Sequence, residues 1–164
     1  MAPVMTITTE PKLRIIEDRL QGTQIQALLA EHVADMRSLS PPESTHTLDL
    51  ERLRAADIRF WSVWRGETLV GCGALKHLSD DHAEIKSMRT PRALRGQGAG
   101  RAMLVHLIEQ ARALGYKRLS LETGAMAEFA PAHQLYRAHG FQECGPFADY
   151  GPDPLSVFMT LVLD

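Results

Sequence analysis

Apolar residues recur along this chain with two periods, and the points where the period changes mark its elements. Lys12 to Leu20 predicts a strand centred on the β-branched pair Ile15-Ile16. From Gly22 the pattern becomes helical: Ile25, Leu28, Leu29, Val33 and Met36 share one face. Pro41-Pro42 stops that helix and opens a loop over Ser40–Thr47. A short helix is expected next, from about residue 49 to about 56, with Asp49 and Glu51 where a helix dipole favours negative charge. Ile58–Arg65 and Thr68–Lys76 then form a hairpin around Gly66-Glu67, and Ser79-Asp80-Asp81 turns into a third strand at His82–Thr90. These short connections make three successive strands antiparallel.

After Pro91 the character changes. Arg95-Gly96-Gln97-Gly98-Ala99-Gly100 opens a long amphipathic helix with Leu104, Leu107, Ile108, Ala111 and Leu114 on its buried side, stopped by Gly115. Lys117–Thr123 is a strand, 131–139 a helix ended by Gly140, and Phe141–Cys144 and Ser156–Leu163 are the last two strands. A strand reached through a helical crossover pairs in parallel with the one before it. The order β-α-α-β-β-β-α-β-α-β-β predicts an α/β fold, one mixed and mostly antiparallel sheet flanked by helices. No repeat or linker divides it, so one domain over residues 1–164 is expected.

The glycine loop carries the first chemistry. Glycines 96, 98 and 100 clear side chains from one side of a tight turn, so successive N–H groups can face an anion. The helix that follows adds unpaired N–H groups and the positive end of its dipole. Arg95 and Arg101 flank this nest, and a pyrophosphate suits it. The spacing matches neither the Gly-Lys-Ser/Thr phosphate loop nor the dinucleotide fingerprint, whose third glycine falls one residue later.

Composition narrows the partners. The 164 residues are 45% hydrophobic and 23% charged, which excludes disorder and collagen-like repetition. With 18 basic and 20 acidic residues the formal charge is −2, which argues against a dedicated nucleic-acid binder while leaving room for a local basic pocket. Cys72 and Cys144 are too few for a disulfide framework and read as buried free thiols. Residues 1–10 lack a secretory pattern, and the longest uncharged apolar stretch, near Leu155–Leu163, falls far short of the roughly 20 residues of a membrane span. A cytoplasmic, soluble protein is the expectation, with no metal site indicated.

Arg95-x-x-Gly98-x-Gly100, between a strand and an amphipathic helix, resembles the acyl-CoA signature of the GNAT-type N-acetyltransferase superfamily. Leu135-Tyr136-x-x-x-Gly140-Phe141 is similar to a second motif of that family, and the element order matches its fold over nearly the whole chain. The Ser40–His46 and Gly145–Pro154 segments resemble those of an uncharacterised bacterial branch.

The resemblance implies an acetyl-CoA-dependent N-acetyltransferase acting by direct attack of an amine, of a small molecule or peptide, in a ternary complex. Met88, Arg89, Thr90, Arg95, Gly96, Gln97, Gly98, Ala99, Gly100 and Arg101 are then cofactor-binding, with the strand at Ile85–Thr90 presenting open backbone to the pantetheine arm. Glu84 becomes the base, acting through water, and the Met88 backbone N–H the oxyanion donor. Tyr136 becomes the acid. Glu84 shares a face with Lys86 and Met88 on an alternating strand, and pairing with Lys86 would explain it equally well. Tyr136 also reads as a packed aromatic, and His82 and His46 are weaker alternatives for the base. Phe129 stands where many members of the family place a pantetheine-contacting Asn, so Thr123 or packing on Phe129 must replace that contact. Glu43, His46 and Asp149, with Asp153, lie in loops placed to meet a cationic acceptor. The family also includes homodimers, although no segment here marks an interface. Two further readings remain open: a non-catalytic CoA-binding sensor, and a regulator using the loop for another nucleotide.

Overall fold

The computed structural model describes residues 12–39 and 50–164. Strand β1 is Leu13–Glu17, shorter than expected, because the chain turns away at Asp18. The Asp18 carboxylate accepts the Leu20 N–H at 2.7 Å and the Ser62 hydroxyl at 2.6 Å, and Leu20 takes φ 64°. Helix α1 follows at Thr23–Leu39, and α2 is the single turn Leu50–Leu53. The hairpin is β2 (Ile58–Arg65) and β3 (Thr68–Ser79), and β4 is His82–Arg89. Then come α3 (Ala99–Ala113), β5 (Arg118–Gly124), α4 (Ala130–Ala138), β6 (Gln142–Cys144) and β7 (Ser156–Val162).

The strands form one seven-stranded sheet in the order β1-β2-β3-β4-β5-β7-β6. Only β4 and β5 pair in parallel, as the α3 crossover requires. Strand β7 inserts between β5 and β6, antiparallel to both.

Alternation along the strands divides the core. Trp61, Val63, Leu75, Ala83, Ile85, Leu119, Leu121 and Met159 pack with Met103, Leu104, Leu107 and Ala111 of α3. Phe60, Cys72 and Ala74 pack on the other side with Ile25, Leu28 and Leu29 of α1 and Leu53 of α2. Val33 and Met36 are half-buried on α1, which runs on past this second cluster. Leu114 does not join the buried face: it is 43% exposed, because α3 ends at Ala113. The chain reverses at Gly115, φ 87°, and the Tyr116 N–H returns to the Ala111 carbonyl at 3.1 Å. Cys72 is a fully buried free thiol, whereas Cys144 is only half-buried.

Helix α3 sits close on the sheet at Gly73, where a Cβ would lie 2.8 Å from Met103 Cγ and 3.0 Å from Leu107 Cδ1. Gly73→Ala is expected to lower unfolding stability by about 1–3 kcal/mol through overpacking. Urea unfolding followed by circular dichroism measures this, and an unchanged midpoint would mean that α3 rides off the sheet freely.

Candidate active site

The site begins where two parallel strands part. Pairing of β4 with β5 runs from His82↔Arg118 to Ile85↔Leu121 and goes no further. Just beyond, β4 carries a bulge against β3: Ala74 faces Lys86, Cys72 faces Arg89, and Ser87 and Met88 share the intervening space. Ser87 takes φ 54°, and its carbonyl accepts the Cys72 thiol at 3.2 Å. A bulge bends its strand and resets its alternation. Met88 therefore does not share the face of Glu84 and Lys86, as simple alternation predicts. It packs against the α3-side core, while Arg89 reaches the α1 side.

A cleft of about 830 Å³ occupies the gap. One end is the loop before α3, where Arg95, Gly96, Gly98, Ala99, Gly100 and Arg101 line it. Gly96 and Gly98 have φ of 81° and 88°, a conformation L side chains rarely adopt, and a Cβ at either would meet open space. Gly98 is the residue before the first turn of α3, so that turn's unpaired N–H groups face the same place. Arg95 and Arg101 are exposed there. Thr90, Met88, Thr123 and Phe129 line the middle. A Cβ on Gly124 would come within 2.3 Å of the Phe129 ring, so that ring packs close on the end of β5 as it lines the cleft. Gln97 does not line the cleft: its side-chain oxygen accepts Arg65 Nη1–H at 2.8 Å, which ties the loop to β2.

Tyr136 lines the same cleft from α4 and is 7% exposed, its ring tilted against Phe141 at 5.9 Å between centroids. Burial, reinforced by the Glu122 carboxylate, pushes its phenol up to about 12. The hydroxyl keeps its proton at any physiological pH.

The opposite end meets α1. Arg89 is buried, and its guanidinium binds Glu31 at 2.8 Å and also Asp35. Arg92 adds a bond to Asp35 at 2.7 Å. The Arg89 side chain is therefore committed to anchoring α1 on β4, leaving its backbone to the cleft. Hydrogen bonding from Arg89 holds the carboxyls of Glu31 and Asp35 below their ordinary range. His32, between them on α1, lines the cleft, and its buried Nδ1 has no partner among the described residues. Burial first, then Arg89 and Lys86, push its imidazole down to about 4, against the opposing carboxylates of Asp35 and Glu31. Sequence periodicity places His32 on the apolar stripe of α1, and it carries no signal that separates it from a core histidine.

Glu84 is 2% exposed and lies beside the cleft without lining it. Tyr150 Oη donates to Glu84 Oε2 at 2.5 Å, and Lys86 Nζ donates to Tyr150 Oη at 2.7 Å. Lys86 does line the cleft. Tyr150 comes from the loop singled out for its acids, yet Asp149 beside it is exposed and away from the cleft. Asp153 instead binds the Leu155 N–H of its own turn at 2.9 Å. His82 is occupied: its Nε2 lies 2.7 Å from Ser120 Oγ and its ring rests on Phe147. Glu43 and His46 lie outside the described residues. Among those described, no cluster of three metal-ligating side chains is present, and no helix is long and apolar enough to cross a membrane.

A mixed sheet split between β4 and β5, with an anion nest at one end of the split, defines the acyl-CoA N-acyltransferase class. The chain belongs to the acetyltransferase (GNAT) family, whose model matches residues 25–141. It is 56% identical over 143 residues to the protein called "Uncharacterized N-acetyltransferase YsnE" of Bacillus subtilis (strain 168), covering 87% of this chain and 95% of that one. It is 42% identical over 144 residues to the "IAA acetyltransferase" of Azospirillum brasilense, covering 87% and 92%. A crystal structure of a GNAT family acetyltransferase from Elizabethkingia anophelis with acetyl-CoA bound shares the fold, with TM-score 0.67, 20% identity and coverage of 92% and 98%.

The depressed His32 fixes a sign for stability. Its folded value of about 4 lies below the 6.5 of an unfolded histidine, so the unfolded chain binds more protons between those pH values. Stability should fall as pH drops from 6.5 toward 4, by up to about 3 kcal/mol from this group. His32→Gln should flatten that part of the curve, read by urea unfolding at pH 7, 6, 5 and 4.5. Parallel curves for the two proteins would clear His32 of the effect.

Proposed function

We propose that this acetyltransferase transfers the acetyl group of acetyl-CoA directly to an amine of a small molecule or peptide, with both substrates held in the one cleft. The observation that carries this reading is the continuity of that cleft. It runs from the anion nest at Gly96–Arg101, past the unpaired edges of β4 and β5, to Lys86 and His32. A pyrophosphate fits the nest, because Gly96 and Gly98 hold positive φ with nothing near a would-be Cβ and two arginines flank them. The parted strands offer backbone groups to a pantetheine amide chain, and Thr123 and Phe129 stand in for the missing Asn.

Bound acetyl-CoA supplies an activated thioester. The chain must supply a neutral amine, an oxyanion donor and a donor to the departing sulfur. An amine of lysine-like pKa is neutral in only about one molecule in 2,500 at pH 7. Lys86 opposes a further positive charge at the acceptor end, in the direction it already pushes His32, while the Arg89 charge is paired with Glu31 and Asp35. The backbone N–H of Met88, next to the bulge, is the oxyanion donor. Tyr136 faces the sulfur as a hydrogen-bond donor. Full proton transfer from a phenol at about 12 to a thiolate near 8.5 would cost roughly 5 kcal/mol. Glu84 is the proton store that allows a group facing the cleft to accept the amine proton, and since it does not itself line the cleft an intermediary must join the two.

Two measurements test the reading. Acetyl-CoA and CoA should raise the melting temperature while ATP and NAD leave it unchanged; stabilisation by ATP and not by CoA would overturn it. A panel of amines scored by free-thiol release should then yield an acceptor. Glu84→Gln is expected to lower kcat on that acceptor by about 100-fold or more. Gly98→Ala, which strains the φ of 88° at the nest, should raise the KM for acetyl-CoA by roughly tenfold and leave kcat near wild type.

A further inference from the structure

Two side chains bridge the cleft and the buried carboxylate. Lys86 Nζ lies 2.7 Å from Tyr150 Oη, and that hydroxyl lies 2.5 Å from Glu84 Oε2. Lys86 is also 3.4 Å from the same carboxylate oxygen, its side chain 10% exposed against 2% for Glu84. The Tyr150 ring is fixed by Phe147 and Phe158, with centroids at 5.1 and 5.4 Å. Burial and the Glu84 carboxylate push its phenol strongly upward, so it passes a proton only by receiving one. These two hydrogen bonds make one continuous path for a proton between Lys86 Nζ and Glu84 Oε2.

We propose that Lys86 takes the proton from the acceptor amine, and that Tyr150 and Glu84 hold the proton Lys86 must first give up. This rests on the acetyl-transfer reading above and names the intermediary it requires. The Lys86 ammonium gives a proton to Tyr150 Oη while the Tyr150 hydroxyl proton passes to Glu84 Oε2. Rotation about Cε–Nζ turns the new lone pair of Lys86 to the cleft. It accepts the proton of the attacking nitrogen as the N–C bond forms and the C–S bond breaks. Lys86 then protonates the departing sulfur, and the Glu84 proton returns through Tyr150 to Lys86. The balance is amine and thioester giving amide and thiol. Lys86 is the catalytic residue in this scheme and Tyr150 a positioning residue.

Arginine separates this role from a structural one, since it keeps the charge and can still donate to Tyr150 but does not deprotonate at physiological pH. With acetyl-CoA and the acceptor found by the amine panel, Lys86→Arg should lose at least about 100-fold in kcat, with both KM values within threefold of wild type. Tyr150→Phe keeps the ring packing, and its kcat should fall by at least about tenfold with KM likewise unmoved. Lys86→Ala should be inactive and regain activity with added imidazole, a readout independent of whether the arginine variant folds. A Lys86→Arg enzyme retaining more than a third of wild-type kcat, or a folded Lys86→Ala enzyme that imidazole does not rescue, overturns the relay. A wild-type enzyme that acetylates nothing in the panel overturns the acetyl-transfer reading itself, and with it the relay.

Discussion

The bulge at Ser87-Met88 sets the geometry of everything around it. A parallel pair such as β4 and β5 would ordinarily continue hydrogen bonding until one strand ended. Here one extra residue on β4 re-aims the strand immediately after Ile85↔Leu121. Backbone donors and acceptors beyond that point lose their ladder partners and become available to a ligand that can satisfy them. The same bulge resets the alternation, turning Met88 toward the α3-side core and Arg89 toward α1. One local irregularity opens the cleft and supplies the residue that closes its far wall.

That wall is electrostatic as much as steric. Arg89 binds Glu31 and Asp35 from beneath and Arg92 binds Asp35 from the rim, so the acids of α1 are neutralised before a substrate arrives. Beside these pairs the cleft meets Lys86 and the imidazole of His32, which burial keeps neutral near pH 7. A formal charge of −2 hides this arrangement, in which Lys86, Arg89, Arg92, Arg95 and Arg101 line the cleft together with Asp35, Glu122 and Glu128. The two described acids proposed to attract a cationic acceptor do not gather there: Asp149 is exposed elsewhere and Asp153 caps its own turn.

Legibility followed the range of the interactions. The glycine loop was readable because Gly96 and Gly98 answer a local demand for positive φ, and the long helix because its buried stripe repeats within one element. Tyr136 stands in a motif legible in the sequence, and the fold brings it to the cleft. The commitments of Arg89 and Gln97 were not, since their partners lie 54 to 58 and 32 residues away in sequence. Tyr150 was hidden for the same reason: its partner Glu84 is 66 residues distant. The bulge left only a faint mark: apolar Met88 falls one residue out of phase with Ala83 and Ile85, and the register against β3 is what reveals the extra residue.

The order and type of the elements, the α3 crossover and the anion nest follow from residues close together in the chain, where steric preference and periodicity act without regard to the rest of the molecule. Strand β7 between β5 and β6, the end of pairing at Ile85, and the chain from Lys86 through Tyr150 to Glu84 were decided only by tertiary structure. Each depends on which distant groups compete for one hydrogen-bonding or buried position, and that competition is resolved in the packed molecule.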